Sequence, residues 1–306
     1  MPFRATKTCL GKASSNQWLS RQFRDPYVKK RLADPATYRS RSAFKLLEIE
    51  SSWDNFLTKK DVRAVVDLGA APGGWSQVVA GKLGFRPDGI IPPRGDSKAR
   101  YEQWSTAPVQ PSGTKNSTFD PLNIDDVISA EQNQRRSQGR GTIIAVDLLR
   151  MEPIHGVHSL VGNFLEPETS VLIRGLLEAN GCPDGKVDVI LSDMAANATG
   201  NEDADVQSSL RICEAVLEFA KKHLRSGQSI GRTKGGVLLM KYFAHPELDK
   251  FRREKLQPNF QLVKNLKPTS SRAESSETYF MCQGWKPSRP IPSKSRRTPP
   301  LKVVTF

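Results

Sequence analysis

Residues Val65–Gln77 read VVDLGAAPGGWSQ, and the fold turns on them. A short apolar run ends at Asp67, a turn of small residues follows, and amphipathic helical spacing begins near Trp75. A strand, a glycine-rich turn and a helix start together make the mouth of a nucleotide-cofactor crevice in an open α/β sheet. Gly69, Gly73 and Gly74 let backbone approach a ligand closely, and Pro72 stiffens the bend. The same residues could form a tight connection that binds nothing. They do not form a dinucleotide cradle, because G-A-A-P-G-G-W lacks the G-x-G-x-x-G order.

Working outward, the 306-residue chain alternates strand-like and helix-like stretches as an α/β domain does. Helical spacing is expected from about Ser40, with Phe44, Leu47, Ile49, Trp53 and Phe56 on one face, after a part broken by Pro26 and Pro35. Strands are expected to end at Asp147, near Asn163, at Asp193 and at Lys241. Helices are expected at Gly74–Leu83, Glu168–Asn180, Asp203–Leu224 and Pro246–Leu256. NFQLVKNLKP and ETYFMCQGW read as two strands joined by the short loop Thr269–Ser276, which makes them antiparallel. Residues 86–141 are rich in Pro, Gly, Ser and Thr where a short loop is normal, so they read as an insertion, with one short helix at Ile124–Gln132.

The formal net charge is +14. Residues 1–34 and 286–306 each carry +6, so the middle is nearly neutral and the basic ends suit a polyanion. Residues 1–24 hold five basic residues and no acid, the composition of a mitochondrial transit segment or of an RNA-binding arm. No stretch of 18 apolar residues exists to span a membrane. Cys9, Cys182, Cys213 and Cys282 form no C-x-x-C pair, and His155 and His158 lack partners at ligand spacing, so no metal is expected.

Strand order brings distant charges together. Ligands of open sheets lie beyond the carboxyl ends of the parallel strands. Asp193 and Lys241 end two such strands, and Glu277 begins an antiparallel one, so its start falls at the same edge. Lys45, on the helix before the first strand, can bury its stem and bring its amine to the crevice. Each of these residues taken singly could be one half of a surface ion pair.

The string DLGAAPGGWSQ resembles motif I of S-adenosylmethionine (SAM) methyltransferases, and with YRSRSAFKLLE it resembles the FtsJ-type RNA 2′-O-ribose methyltransferases. That resemblance implies a Rossmann-like fold, with a mostly parallel seven-stranded sheet, one antiparallel strand and helices on both faces. It spans residues 35–285, with a basic segment at 1–34 and a Pro-rich basic tail at 286–306 on either side. Lys45, Asp193, Lys241 and Glu277 match the family's catalytic K-D-K-E set, within SAFKLLE, SDMAAN, LLMKYF and SRAESSETY. Asp67, Gly69, Pro72, Gly73, Gly74, Trp75, Asp147, Asn163 and Asp193 are the implied cofactor contacts. Asp147 is suited to the ribose hydroxyls and Asn163 to the adenine amine.

In that chemistry the sulfonium already activates the methyl group, and a ribose 2′-oxygen must lose its proton as it attacks. Lys241 is the implied base, and Asp193 and Glu277 position the reactants. Two residues depart from the family pattern: Asn163 replaces an aspartate, and Ala196 replaces the proline of S-D-M-A-P-N. The first keeps an acceptor for adenine, and the second loosens the loop after Asp193. Amino-group DNA methylation expects a P-P-aromatic motif where this chain reads SDMAAN, and cytosine-C5 methylation expects a cysteine there. A nicotinamide-dependent oxidoreductase or a non-catalytic RNA-binding factor is the rival from another class.

Substrates across the family include ribosomal and transfer RNA. DLLRMEPIHGVHSLVGNF is nearest the bacterial and mitochondrial ribosomal branch. The expectation is therefore a monomeric enzyme acting on a uridine of large-subunit ribosomal RNA, or on its precursor particle, in the mitochondrial matrix. The nucleus and the cytoplasm are the alternative locations.

Overall fold

Every residue of Ala64–Leu68 (β1) and Val189–Ser192 (β4) is buried, the pattern of parallel strands covered on both faces. The computed structural model describes residues 25–33, 38–85, 139–196, 199–272 and 275–286. Its other strands are Thr142–Asp147 (β2), Val157–Val161 (β3), Val237–Phe243 (β5), Phe260–Leu266 (β6) and Glu277–Trp285 (β7). Their order across the sheet is β3-β2-β1-β4-β5-β7-β6. Pairing is parallel from β3 through β5, and β7 runs antiparallel to both of its neighbours. This is the seven-stranded methyltransferase-type sheet that the sequence implied, with one reversed strand.

Alternate residues along each strand feed two cores. Val66, Leu68, Ile144, Leu238, Met240 and Phe280 pack with Cys213, Val216, Leu217 and Ala220 of helix α5 (Glu202–His223). Val65, Ile143, Val189, Leu191, Leu239 and Met281 face helices α2 (Ser42–Ser52) and α3 (Gly74–Lys82). Helix α4 (Pro167–Ala179) buries Thr169, Ile173 and Leu177, one residue per turn, so it lies on the sheet by a narrow stripe. The Asn201 side chain accepts from the Ala204 N–H to start α5, whose first turn is acidic and last turn basic, in keeping with the helix dipole.

Several local expectations change. The helix from Ser42 ends at Ser52, before Trp53 and Phe56, and β5 runs two residues past Lys241 to Phe243. Pro26 does not break the chain; it opens helix α1 (Pro26–Ala33), where a missing N–H costs nothing. Asp25 accepts from the Tyr27 N–H, and the Tyr27 ring lies 5.8 Å from that of Phe44, so this piece of the basic segment packs on the domain. The helix from Pro246 ends as a regular α-helix at Phe251 (α7, after the short α6, Gly227–Ile230) and continues as a π turn over Arg252–Leu256.

The described chain stops at Phe85, just before the expected insertion at 86–141, and resumes at Gly139, where a Cβ would fall 2.4 Å from the Phe85 ring. Arg140 N–H donates to the Leu83 carbonyl, and Thr142 N–H to that of Arg63. Both ends therefore sit where β1 and β2 begin, at the edge opposite the crevice. The expected helix at Ile124–Gln132 lies outside the described residues, as do residues 1–24 and the tail from residue 287.

At that same starting edge, Asp188 is a buried anchor. One carboxylate oxygen accepts from the Arg63 and Ala64 N–H groups at 2.8 and 3.0 Å, and the other from Arg225 at 2.8 Å. Replacing Asp188 by Ala strands two N–H groups and leaves Arg225 paired with Asp184 alone. It is expected to lower unfolding free energy by about 3 kcal/mol. Denaturant titration measures this, and a loss below about 1 kcal/mol is inconsistent with the anchoring role.

Candidate active site

Lys45 is only 8% exposed although it lies on a helix. Its neighbours Ala43, Phe44 and Leu46 are buried with it, so the amine cannot reach solvent and turns to a counter-charge. Its Nζ lies 2.6 Å from one Glu277 oxygen and 2.8 Å from the other. Glu277 is the first residue of β7 and also accepts from the Ser271 hydroxyl at 2.8 Å. Burial pushes the Glu277 carboxyl pKa up; Lys45, Ser271 and Lys241 outweigh that and bring it below the ordinary carboxylate value. Asp193 directly follows β4. Lys241 on β5 lies 3.0 Å from its Oδ1 and donates to its backbone carbonyl as well. The four residues converge as two ion pairs, each largely out of solvent.

A fifth residue ties the pairs together. The Tyr279 hydroxyl donates to Asp193 Oδ1 at 2.7 Å and lies 3.3 Å from Glu277 Oε1. Burial, then the adjacent Asp193 and Glu277 carboxylates, drive its pKa upward, so it stays a donor. Sequence reasoning missed it. The signal was its spacing: residues two apart on a strand share a face, so Tyr279 had to stand beside Glu277. It is also the cross-strand partner of Lys241.

The loop before Glu277 is held by α2. Glu48 accepts from the Thr269 and Ser270 N–H groups at 2.5 and 2.9 Å, and Arg41 donates to the Ser270 carbonyl at 2.5 Å. Lys45 and the strand start that meets it are thus positioned by one helix.

The glycine turn lies beside this cluster. Gly69 has φ +69°, and a Cβ there would run into the Met194 side chain, so only glycine lets the Asp193–Met194 corner close over the turn. Gly73 (φ +107°) precedes α3, and Gly74 is its first residue. Pro72 is exposed at the rim. Asp147 braces the turn: its Oδ2 accepts from the Ala71 N–H and its Oδ1 from the Leu149 N–H, both at 2.8 Å. Each oxygen keeps a further lone pair for a ligand hydroxyl. Asn163 Oδ1 accepts from the Leu165 N–H at 3.1 Å and keeps one likewise. Trp75 can meet the crevice by its backbone alone. Its indole is 2% exposed, donates to the Ser42 carbonyl at 2.9 Å and lies 5.7 Å from the Tyr279 ring.

Asp67 is buried at the base of the turn and accepts from the Ser76 hydroxyl at 2.7 Å. Burial is the main cause that pushes its pKa up to about 7. Asp193 and Asp147 add to the rise, and the Ser76 hydrogen bond opposes it. Asp147 and Asp193 thus stand around the turn near a third, buried carboxylate that they repel, and a cationic ligand relieves them. SAM, with an ammonium, a sulfonium and ribose hydroxyls, fits this donor set.

The FtsJ-like methyltransferase family model matches residues 38–93 and 126–285. A ribosomal RNA large subunit methyltransferase E of Rickettsia akari is 37% identical over 270 residues, covering 88% of each chain. Its namesake from Rhodopseudomonas palustris is 33% identical over 279 residues, covering 91% of this chain and 89% of its own. A solved ribosomal RNA methyltransferase from Plasmodium falciparum is 21% identical, with a TM-score of 0.53 over 81% of this chain and 98% of its own, a likeness of fold. With most of its length matched and its sheet and glycine turn in agreement, the chain belongs to the FtsJ-like methyltransferase family.

Proposed function

We propose that this protein methylates a ribose 2′-hydroxyl of large-subunit ribosomal RNA using SAM, with Lys241 as the proton acceptor. The observation that carries the reading is the paired cluster Lys45–Glu277 and Lys241–Asp193, joined by Tyr279 beside a glycine turn ringed by Asp67, Asp147 and Asp193. The ribosomal relatives, similar along nearly the whole chain, support the choice of RNA. Uridine as the target, and mitochondria as the location, rest on the family branch and on the basic, acid-free N-terminus.

Asp147 and Asn163 would hold the adenosine, and Asp193, with the Asp67 carboxylate buried behind the turn, would favour its cationic end. The bound cofactor supplies a methyl group activated by positive sulfur and leaves as a neutral thioether. Lys241, having shed one proton, takes the proton from the 2′-oxygen as that oxygen forms its bond to the methyl carbon. Asp193 holds Lys241 through both its carboxylate and its carbonyl. Glu277 keeps the Lys45 charge at a fixed place near the reacting oxygen, and Tyr279 fixes the two carboxylates relative to each other. Enclosure of these groups keeps water from competing for the methyl group.

Lys241→Ala is expected to lower the single-turnover rate by about 10²–10⁴-fold, with SAM binding little changed. Lys241→Arg should be nearly as damaging, since a guanidinium keeps the charge but does not give up its proton in this range. An arginine variant that retains most of the chemical rate assigns Lys241 to orientation alone.

The crevice also predicts a pH effect on the cofactor. A cation binds best to the carboxylate form of Asp67, whose pKa stands at about 7. SAM affinity measured by calorimetry should therefore rise between pH 5.5 and about 7, and Asp67→Asn should flatten that rise. A wild-type profile that is flat, or that falls with pH, removes Asp67 from the cofactor site. For location, a reporter fused behind residues 1–30 should enter mitochondria, and retention in the cytosol counts against the transit reading.

A further inference from the structure

Just past the tetrad, on the same edge of the sheet, lies a cavity of about 370 Å³. Its walls continue the strands that carry the tetrad. Ala196 follows Asp193, Phe243 and His245 follow Lys241, and Ser276 immediately precedes Glu277. Phe243 is the cross-strand partner of Glu277, as Lys241 is of Tyr279. The side chains of Lys241 and Phe243 therefore leave β5 on one face, about 7 Å apart along the strand. The far wall is the start of α5, with Glu202, Asp205 and Ser209.

We propose that this cavity receives the base of the nucleotide whose 2′-oxygen is methylated, with Phe243 as its stacking face. The proposal rests on the RNA 2′-O-methyltransferase reading and deepens it. Three features carry it. The first is reach. The base hangs from the carbon next to the one bearing the 2′-oxygen, so an oxygen at Lys241 places its base about one strand repeat away, where Phe243 stands. The second is charge. Glu202 and Asp205 make the wall acidic, which rejects a phosphate and admits a neutral ring. Asp205 also shapes that wall by accepting from Thr199 N–H and Oγ1 at 2.7 and 2.8 Å and from Gly200 N–H at 3.2 Å. The third is chemistry. An aromatic face suits any unstacked base. His245 Nδ1 accepts from the Glu247 N–H at 3.2 Å, so Nε2 is the ring nitrogen left to offer a donor to a base edge.

The test crosses a protein change with a substrate change. Wild type, Phe243→Ala and Phe243→Tyr are assayed in single turnover at saturating SAM. The methylated nucleotide is first mapped on large-subunit RNA treated with wild type, and the substrates are a hairpin holding it and the same hairpin with an abasic ribose there. Removing the base should cost wild type about tenfold or more in efficiency. Phe243→Ala should cost a similar factor on the intact hairpin and nothing further on the abasic one. Phe243→Tyr should restore the rate, and all three proteins should bind SAM alike. Equal losses on both hairpins make Phe243 a purely structural residue and overturn the proposal, as does a wild type indifferent to the missing base. A wild type that methylates no 2′-hydroxyl of the intact hairpin defeats the functional reading itself, and the base pocket with it.

Discussion

The ion pair between Lys45 and Glu277 joins side chains 232 residues apart in sequence, and much of the site's geometry depends on it. A lysine this enclosed is tolerable only with its counter-charge in place, because removing one partner leaves an uncompensated charge in a poorly solvated space. Helix α2 is therefore held in one position against the first residue of β7, and the Glu48 and Arg41 contacts to the preceding loop reinforce that position. Reversal of β7 is what makes the meeting possible. Run parallel, the strand would deliver its first residue to the opposite edge of the sheet.

The crevice is built on the contrary principle. Where the tetrad pairs each cation with an anion, Asp67, Asp147 and Asp193 are gathered with too little positive charge among them. The protein holds them together through committed hydrogen bonds: Ser76 to Asp67, Ala71 and Leu149 to Asp147, Tyr279 to Asp193. A binding site kept in electrostatic tension in this way is preorganised for a cation, which need not rearrange the protein on arrival. Asp193 belongs to both systems, so the ion-paired cluster and the carboxylates at the glycine turn share one side chain.

Much of this was legible before the structure. The glycine turn marked β1 and α3, and the apolar runs ending in Asp147 and just before Asp193 marked strand ends, because parallel strands covered on both faces leave polar residues near their tips; β5 instead runs two residues past Lys241. The eight-residue loop before Glu277 revealed the reversed strand. Tyr279 was not legible, since a tyrosine inside ETYFMCQGW reads as strand core and is in fact completely buried; its role depends on cross-strand register. The burial of the Trp75 indole was hidden for a related reason. A tryptophan after two glycines suits a ligand or a core equally well, and only the Ser42 carbonyl, brought over by α2, decides between them. Pro26 misled because proline breaks a helix interior yet suits a helix start, and the deciding neighbour, Phe44, lies beyond the intervening turn.

Around the expected insertion, the described chain stops at Phe85 and resumes at Gly139, at two points pinned side by side by Leu83, Arg140 and Arg63. With the ends already fixed by the domain, the entropy of closing a loop between them grows only logarithmically, about 0.6 kcal/mol for each doubling of length. The two anchor points lie at the edge of the sheet opposite the tetrad, with helix α3 and the depth of the sheet between. The position therefore works as a socket. Sequence inserted at it can grow or shrink over generations without retuning the chemistry, and an engineer could seat a fluorescent domain or an affinity handle in the same place.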